Sequence, residues 1–428
     1  MSRDFLSSRR EFLERAAVST AALAASSPLA FGQADASANA DKQAMTVRGP
    51  ISPSKLGTTL MHEHIYSNFT GYYELTLPMY DRVDKDKYFA TSPEAKIQMK
   101  DLAYLNMGGF IFSKDGWNLA EKQLMEHEIT SFAESGGHSI LEVTPWGKGQ
   151  DDDFHTTLRE LSEKTGVNII CSTGLYGGDD HFWYDEALAM SDSQLIETFM
   201  GHVEKGFGDS GVRAGSLKTA PNVWTENEQR AARAVIAVQQ KTGLPYTIHH
   251  GANMGPKEAE EMQQGIVKFG TNPECTILAH VQKFLVNYSL KSVVKNPEGR
   301  IAVDLDFYRR MLDQGFILSF DTFSTNMGLE LFEFLLEDNG DVPNAFEGAS
   351  GDNDVEMLAM IYFLIQNGYS KQIVLSQDCY SKVHLRSYGG HGYTRVTNFA
   401  LPLLKNVGVS DEALHDMVVG NPARLLAV

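Results

Sequence analysis

The chain has 428 residues, of which 43% are hydrophobic and 10% aromatic, and a net charge of -18. That supports a large core, and the length fits one large barrel as readily as two or three smaller domains, while the acidic balance argues against nucleic-acid binding, which needs clustered Lys and Arg. Three cysteines, Cys171, Cys275 and Cys379, are too few and too far apart for a disulfide framework or a thiolate metal cluster.

The first segment reads as something other than fold. Arg9 and Arg10 form a twin-arginine pair, an alanine-rich stretch runs from Ala16 to Phe31, and small-residue cleavage sites follow at Ala34-Asp35-Ala36 and Ala38-Asn39-Ala40. This is the pattern of a twin-arginine export signal. Residues 1–40 are therefore expected to be removed, and 41–428 to form a single barrel domain in the periplasm or secreted. An amphipathic N-terminal helix is the alternative. No later stretch is apolar over the ~18 residues that a membrane span requires. Export of an already folded chain suits a protein that loads metal in the cytoplasm.

From Thr46 onward, short apolar runs end in polar groups. They are LGTTLMHEHI (56–65), HSILEVTP (138–145), NIICSTGLY (168–176), RAGSLKTA (213–220), LPYTIHHG (244–251), CTILAHV (275–281), FILSFDTF (316–323) and QIVLSQD (372–378). Helical spacing of apolar residues lies between them, as in EKQLMEHEITSFAESGG before the second run and NEQRAARAVIAVQQKTG before the fifth, each closed by glycine. Strands that alternate with helices imply a parallel sheet, and eight such units make a TIM (β/α)8 barrel. In that fold the chemistry sits at the C-terminal ends of the strands, where His62, His64, Glu142, Lys218, His249, His250, His280, Asp321 and Asp378 stand here. Two inserted loops leave the same face: 66–125 after strand one, rich in Tyr, Phe and Met, and 323–355 after strand seven. Each is a lid candidate, or else a peripheral subdomain or oligomer contact.

Alternation along a strand turns His62 and His64 to one face and Glu63 to the other. Alone, His-x-His fits a satisfied structural pair as well as a metal site. His249, His280 and Asp378 at matching strand ends add three groups that bind zinc and similar cations, and buried groups of this kind need partners. Lys218 is the odd member, because an ammonium among metal ligands is repelled. It fits if carbon dioxide has converted it to a carbamate, which is anionic and bridges metals as a carboxylate does. The alternative is a salt bridge to Glu142.

The ordered set His62-x-His64, Lys218, His249, His280 and Asp378 resembles the amidohydrolase superfamily. LGTTLMHEHI, GVRAGSLKTA, GLPYTIHHG and the closing GNPARLL are similar to the phosphotriesterase family, which includes phosphotriesterase-like lactonases. The likeness runs from about Thr46 to the end, apart from the two inserts. It implies a binuclear centre with two divalent metal ions, zinc first among the candidates. One would be held by His62, His64 and Asp378 and the other by His249 and His280, bridged by carbamylated Lys218 and a hydroxide. Asp378 would act as general base. Tyr176 would face the substrate, since lactonase-like members carry a tyrosine in a similar place. The family also suggests a homodimer.

The chain departs from that pattern after strand seven, where phosphotriesterases carry Asp-His and lactonase-like members Asp-Arg but this sequence reads Asp321-Thr322. After His280, where relatives place an acidic residue, it reads Val281-Gln282-Lys283. The family's proton relay is broken, which disfavours efficient phosphotriester hydrolysis. His250 is expected to face away from the centre. The leading expectation is an exported hydrolase of a small ester, lactone or organophosphate ester. The alternatives are an amidohydrolase acting on a C–N bond, a mononuclear enzyme in which Glu142 bridges or orients a ligand, and a non-catalytic exported metal-binding barrel.

Overall fold

The computed structural model describes residues 42–74, 92–106, 109–147, 149–176, 185–251, 254–284, 305–323 and 354–428. The export segment, part of the first insert and nearly all of the second lie outside the described residues.

All eight anticipated strands form, preceded by a small antiparallel hairpin, β1 (Ala44–Thr46) and β2 (Gly49–Ile51). The barrel strands are β3 (Thr59–Glu63), β4 (Ser139–Glu142), β5 (Asn168–Tyr176), β6 (Ser216–Ala220), β7 (Tyr246–His249), β8 (Thr276–Ala279), β9 (Ile317–Phe320) and β10 (Ile373–Leu375). They pair in chain order as one parallel sheet. Helices follow in the intervals: α1 (Lys122–Glu134), α2 (Phe154–Thr165), α3 (Asp192–Glu204), α4 (Glu226–Thr242), α5 (Pro256–Lys268), α6 (Leu305–Leu312) and α7 (Asp354–Gln366). Local signals set their ends. On α4, the Thr225 hydroxyl accepts the Glu228 N–H in a capping box, and Gly243 at φ 72° closes the helix.

Alternation along the strands sorts two cores. Met61, Leu141, Ile170, Ile277, Ile317 and Val374 meet inside the barrel, where Leu425, Leu426, Ala44 and Leu56 join them. Leu60, Ile140, Ile169, Leu217, Ile248, Leu278 and Leu318 point outward and pack under the helices. Burying each such side chain contributes about 1.5–3 kcal/mol, so a sheet buried on both faces holds the strand ends rigidly.

Strand β3 breaks this alternation once. Leu60 pairs with Ile140 and Glu63 with Glu142, so Met61 and His62 together oppose Leu141. This bulge puts Met61 and His62 on the inner side and turns Glu63 outward. Glu63 then closes the barrel. Its carboxylate accepts the Ser376 hydroxyl at 2.6 Å and the N–H groups of Gln377 and Cys379 at 2.8 and 2.9 Å. Across the same seam the His62 N–H donates to Ser376 Oγ at 2.9 Å and the Asp378 N–H to the His62 carbonyl at 3.2 Å. First and last strands are thus joined where His62 and Asp378 must meet.

Glu63→Ala leaves four buried donors, the Gln377 side-chain amide among them, without this acceptor. It is expected to lower unfolding free energy by about 3 kcal/mol or more, measured by chemical denaturation. Glu63→Gln, which keeps one acceptor oxygen, loses less. An alanine variant as stable as the parent contradicts the seam assignment.

Candidate metal centre

The structure brings the six strand-end groups together at the C-terminal mouth of the barrel. Lys218 Nζ lies 3.3 Å from His62 Nε2. Asp378 Oδ1 lies 3.7 Å from His62 Nε2 and 3.4 Å from His64 Nε2, and its Oδ2 lies 3.9 Å from His280 Nε2. The His249 ring stands edge-on to that of His280, with centroids 4.4 Å apart. Ligand atoms of His62, His64 and Asp378 all fall within 4.8 Å of one another, a spacing that could hold one cation.

Orientation comes from behind the rings. The buried Asp321 carboxylate accepts His280 Nδ1–H at 2.8 Å and the His280 backbone N–H at 3.1 Å, and its other oxygen lies 3.0 Å from His62 Nδ1. His62, His280 and Asp321 are also close enough to be read as a metal group. The Nδ1 distances and the hydrogen bonds already made by Asp321 argue instead for a carboxylate that aims both Nε2 atoms into the mouth. His64 is aimed by a different chain: Thr144 Oγ1 donates to Glu142 Oε1 at 2.5 Å, so His64 Nδ1–H donates to Thr144 Oγ1 at 2.6 Å. Glu142 also accepts the Ile65 N–H. It therefore supports His64 and forms no ion pair with Lys218, contrary to the salt-bridge reading. His250 turns away as anticipated, with Nδ1 2.7 Å from the Ala279 carbonyl.

The electrostatics suit a cation. Burial, followed by the Lys218 charge, lowers His62 to about 3, and burial likewise lowers His64 and holds His249 well below its ordinary value. Neutral imidazoles with free lone pairs result. Asp378 is held well below the usual carboxylate range: burial opposes this, but the His64, His280 and His62 rings that face it prevail. Its Oδ1 has no hydrogen-bond partner among the described residues. Burial pulls Lys218 down to about 8, and its carboxylate neighbours act on it only through space. An orphaned carboxylate oxygen, imidazoles turned inward and a buried amine without an ion pair among the described residues form a donor set that fits divalent cations.

Backbone strain marks the same place. His280 (φ 58°) and Asp378 (φ 51°) occupy left-handed conformations that cost non-glycine residues about 1–3 kcal/mol. In β8 that turn brings His280 inward after Ala279. On β5, Gly174 is required, because a Cβ there would stand 1.8 Å from the Lys218 carbonyl oxygen.

The described part of the first insert lies over this mouth as an aromatic wall. Phe69 meets the His64 ring edge-on at 5.1 Å, and Tyr176, at the end of β5, lies 6.1 Å from His249 and 6.2 Å from Phe69. Tyr72 stacks on Trp117 at 4.9 Å, and Tyr380 stacks on Trp117 at 5.8 Å. Buried Lys382 clamps the wall to the loop after β10, with Nζ 2.7 Å from Asp115 and 2.6 Å from Glu121. Among these, only Tyr176 stood out in the sequence. The tyrosine and phenylalanine content of the insert was the available signal for the rest.

Asp321→Ala removes the partner of two imidazoles at once. It is expected to weaken zinc binding about 10–100-fold, measured by competition with a chelator at neutral pH. An unchanged affinity would show that Asp321 does not orient them.

Comparison with known proteins agrees with this geometry. The phosphotriesterase family profile matches residues 42–426. The chain is 28% identical over 384 residues to an N-acetyltaurine hydrolase of Xenopus tropicalis, covering 89% of this chain and 97% of that one. It is 26% identical over 384 residues to the Homo sapiens N-acetyltaurine hydrolase, with the same coverages. Among solved structures, a resiniferatoxin-binding protein from Rhodobacter sphaeroides superposes with a TM-score of 0.72 at 26% identity, over 90% of this chain and 94% of that one. The phosphotriesterase homology protein from Escherichia coli has the same fold, with a TM-score of 0.63 at 19% identity over 87% and 99% of the two chains. A match across nearly all the described fold, on a barrel whose mouth gathers these six side chains, establishes that the chain belongs to the phosphotriesterase family, a family of metal-dependent hydrolases.

Proposed function

We propose that the chain is a binuclear hydrolase of carboxamides. His62, His64 and Asp378 would hold one cation, zinc by preference, His249 and His280 a second, and a carbamate on Lys218 would bridge them. The observation that carries this is Lys218: a buried amine, pulled down to about 8 by burial, with His62 Nε2 3.3 Å away and no ion pair among the described residues. An ammonium left there is costly. The neutral amine adds carbon dioxide at Nζ, loses a proton and becomes an anion suited to the place.

Bound cations would lower the pKa of water and polarise the substrate carbonyl. Asp378, ionised and with a free Oδ1, takes the proton of the attacking water and returns it to the leaving nitrogen as the C–N bond breaks. Asp321 and Thr144 hold the imidazoles still meanwhile. The choice of an amide is supported by the N-acetyltaurine hydrolases among the relatives. A second reading, hydrolysis of a carboxylic ester or lactone, is favoured by Tyr176 standing beside His249.

Steady-state rates on N-acetyltaurine, an aryl acetate and a γ-lactone separate the two readings. The amide reading expects N-acetyltaurine to be cleaved, and turnover of the oxygen esters alone would replace it with the second. Lys218→Ala is expected to lose at least about 100-fold in kcat/KM and to recover part of that with added propionate. A variant as active as the parent would contradict the bridging role.

A further inference from the structure

We propose that the substrate carries an aryl group, which packs against the stack of Tyr72, Trp117 and Tyr380 beside the metal centre. The inference rests on the hydrolase reading for what lies at His64 and His249, and it names the class of substrate that the same mouth accepts.

The aromatic cluster belongs to neither barrel core. Phe69, Tyr73, Phe110, Phe112 and Trp117 form a hydrophobic cluster of their own with Val383, and Tyr72 and Tyr380 pack on it. Its position follows from its two ends. Phe69 touches the His64 ring, and Tyr176 stands between Phe69, Tyr72 and His249. A molecule whose carbonyl reaches these histidines therefore lies along the wall.

The form of the wall selects its occupant. Tyr72, Trp117 and Tyr380 are nearly parallel, with interplanar angles of 23° and 24°. Trp117 is buried, while Tyr72 and Tyr380 are partly exposed. Tyr176 stands at 82° to Tyr72 and makes a side to the stack. Flat rings in parallel and edge-on array favour another flat ring over a puckered one, because offset stacking adds to simple burial.

His384 supports the wall from within the fold. His384 is 2% exposed, 4.6 Å from the Tyr380 ring and 5.9 Å from Phe110. Its Nδ1 accepts the N–H groups of Tyr380 and Ser381, which leaves the ring proton on Nε2. That Nε2 has no partner among the described residues.

The test is equilibrium binding to the zinc-loaded protein by calorimetry, with acetate, cyclohexylacetate and phenylacetate as probes. Phenylacetate is expected to bind about tenfold more tightly than acetate and more tightly than cyclohexylacetate, although the latter is more apolar. The gap is expected to shrink in Tyr72→Leu and Tyr380→Leu variants that retain their metal. Equal affinity for phenylacetate and acetate would overturn the proposal, as would a preference for cyclohexylacetate. These readings need no turnover, so they are separable from the reaction itself. If N-acetyltaurine and N-phenylacetyltaurine both go uncleaved while phenylacetate keeps its preference, the amide reading fails and the aryl site stands. If both are cleaved at the same kcat/KM, the aryl site fails and the amide reading stands.

Discussion

The seam between β3 and β10 is the constraint on which the site depends. A parallel barrel has to join its first strand to its last. Here the join is made by Glu63, Ser376 and the backbone hydrogen bond from Asp378 to His62 rather than by a regular ladder. The bulge that sends Glu63 to the seam is the same irregularity that places His62 inward. One extra residue in β3 therefore closes the fold and sets half of the site. Asp378 is carried to His62 by the same hydrogen bonds and is held in a left-handed turn that isolated sequence preference disfavours.

The remaining groups hang from this seam through buried carboxylates. Asp321, on the strand next to β10, holds His62 and His280, so a histidine from the seam is tied to one from β8 by a single side chain. Glu142 and Thr144 on the other side of β3 do the same for His64. Burial pushes Glu142 up to about 8 and Glu63 up to about 7, whereas Asp321 and Asp378 stay well below the usual range because imidazoles face them. Buried carboxylates of one barrel mouth thus fall into two kinds: those that meet N–H and O–H groups of the frame, and those that meet the rings at the centre.

Much of this was legible in the sequence because strand-end chemistry repeats. Eight apolar runs ended in polar residues, and all eight are strands, while His62, His64, Lys218, His249, His280 and Asp378 do converge. The bulge in β3 was not legible, since simple alternation assigns His62 and His64 a common face without revealing that Met61 shares it. Asp321 was visible as a strand-end carboxylate, the departure from the family pattern lying in its neighbour Thr322, but its two imidazole partners arise from separate strands and no local spacing announces them. Glu142 sat at a strand end like the others, yet it points to the frame because its neighbours Leu141 and Val143 take the inner face. The hairpin Ala44–Ile51 and the stack around Trp117 depend on contacts between segments distant in sequence, where composition gives only a hint.

The central claim is that the mouth holds two cations bridged through Lys218. Elemental analysis of the mature protein, produced with bicarbonate and freed of loosely bound ions, tests it most directly. The account predicts about two divalent ions per chain, with a mass increment on Lys218 that matches one added carbon dioxide when the protein is kept at neutral pH. One ion per chain with an unmodified Lys218, or no tightly bound ion at all, would contradict it.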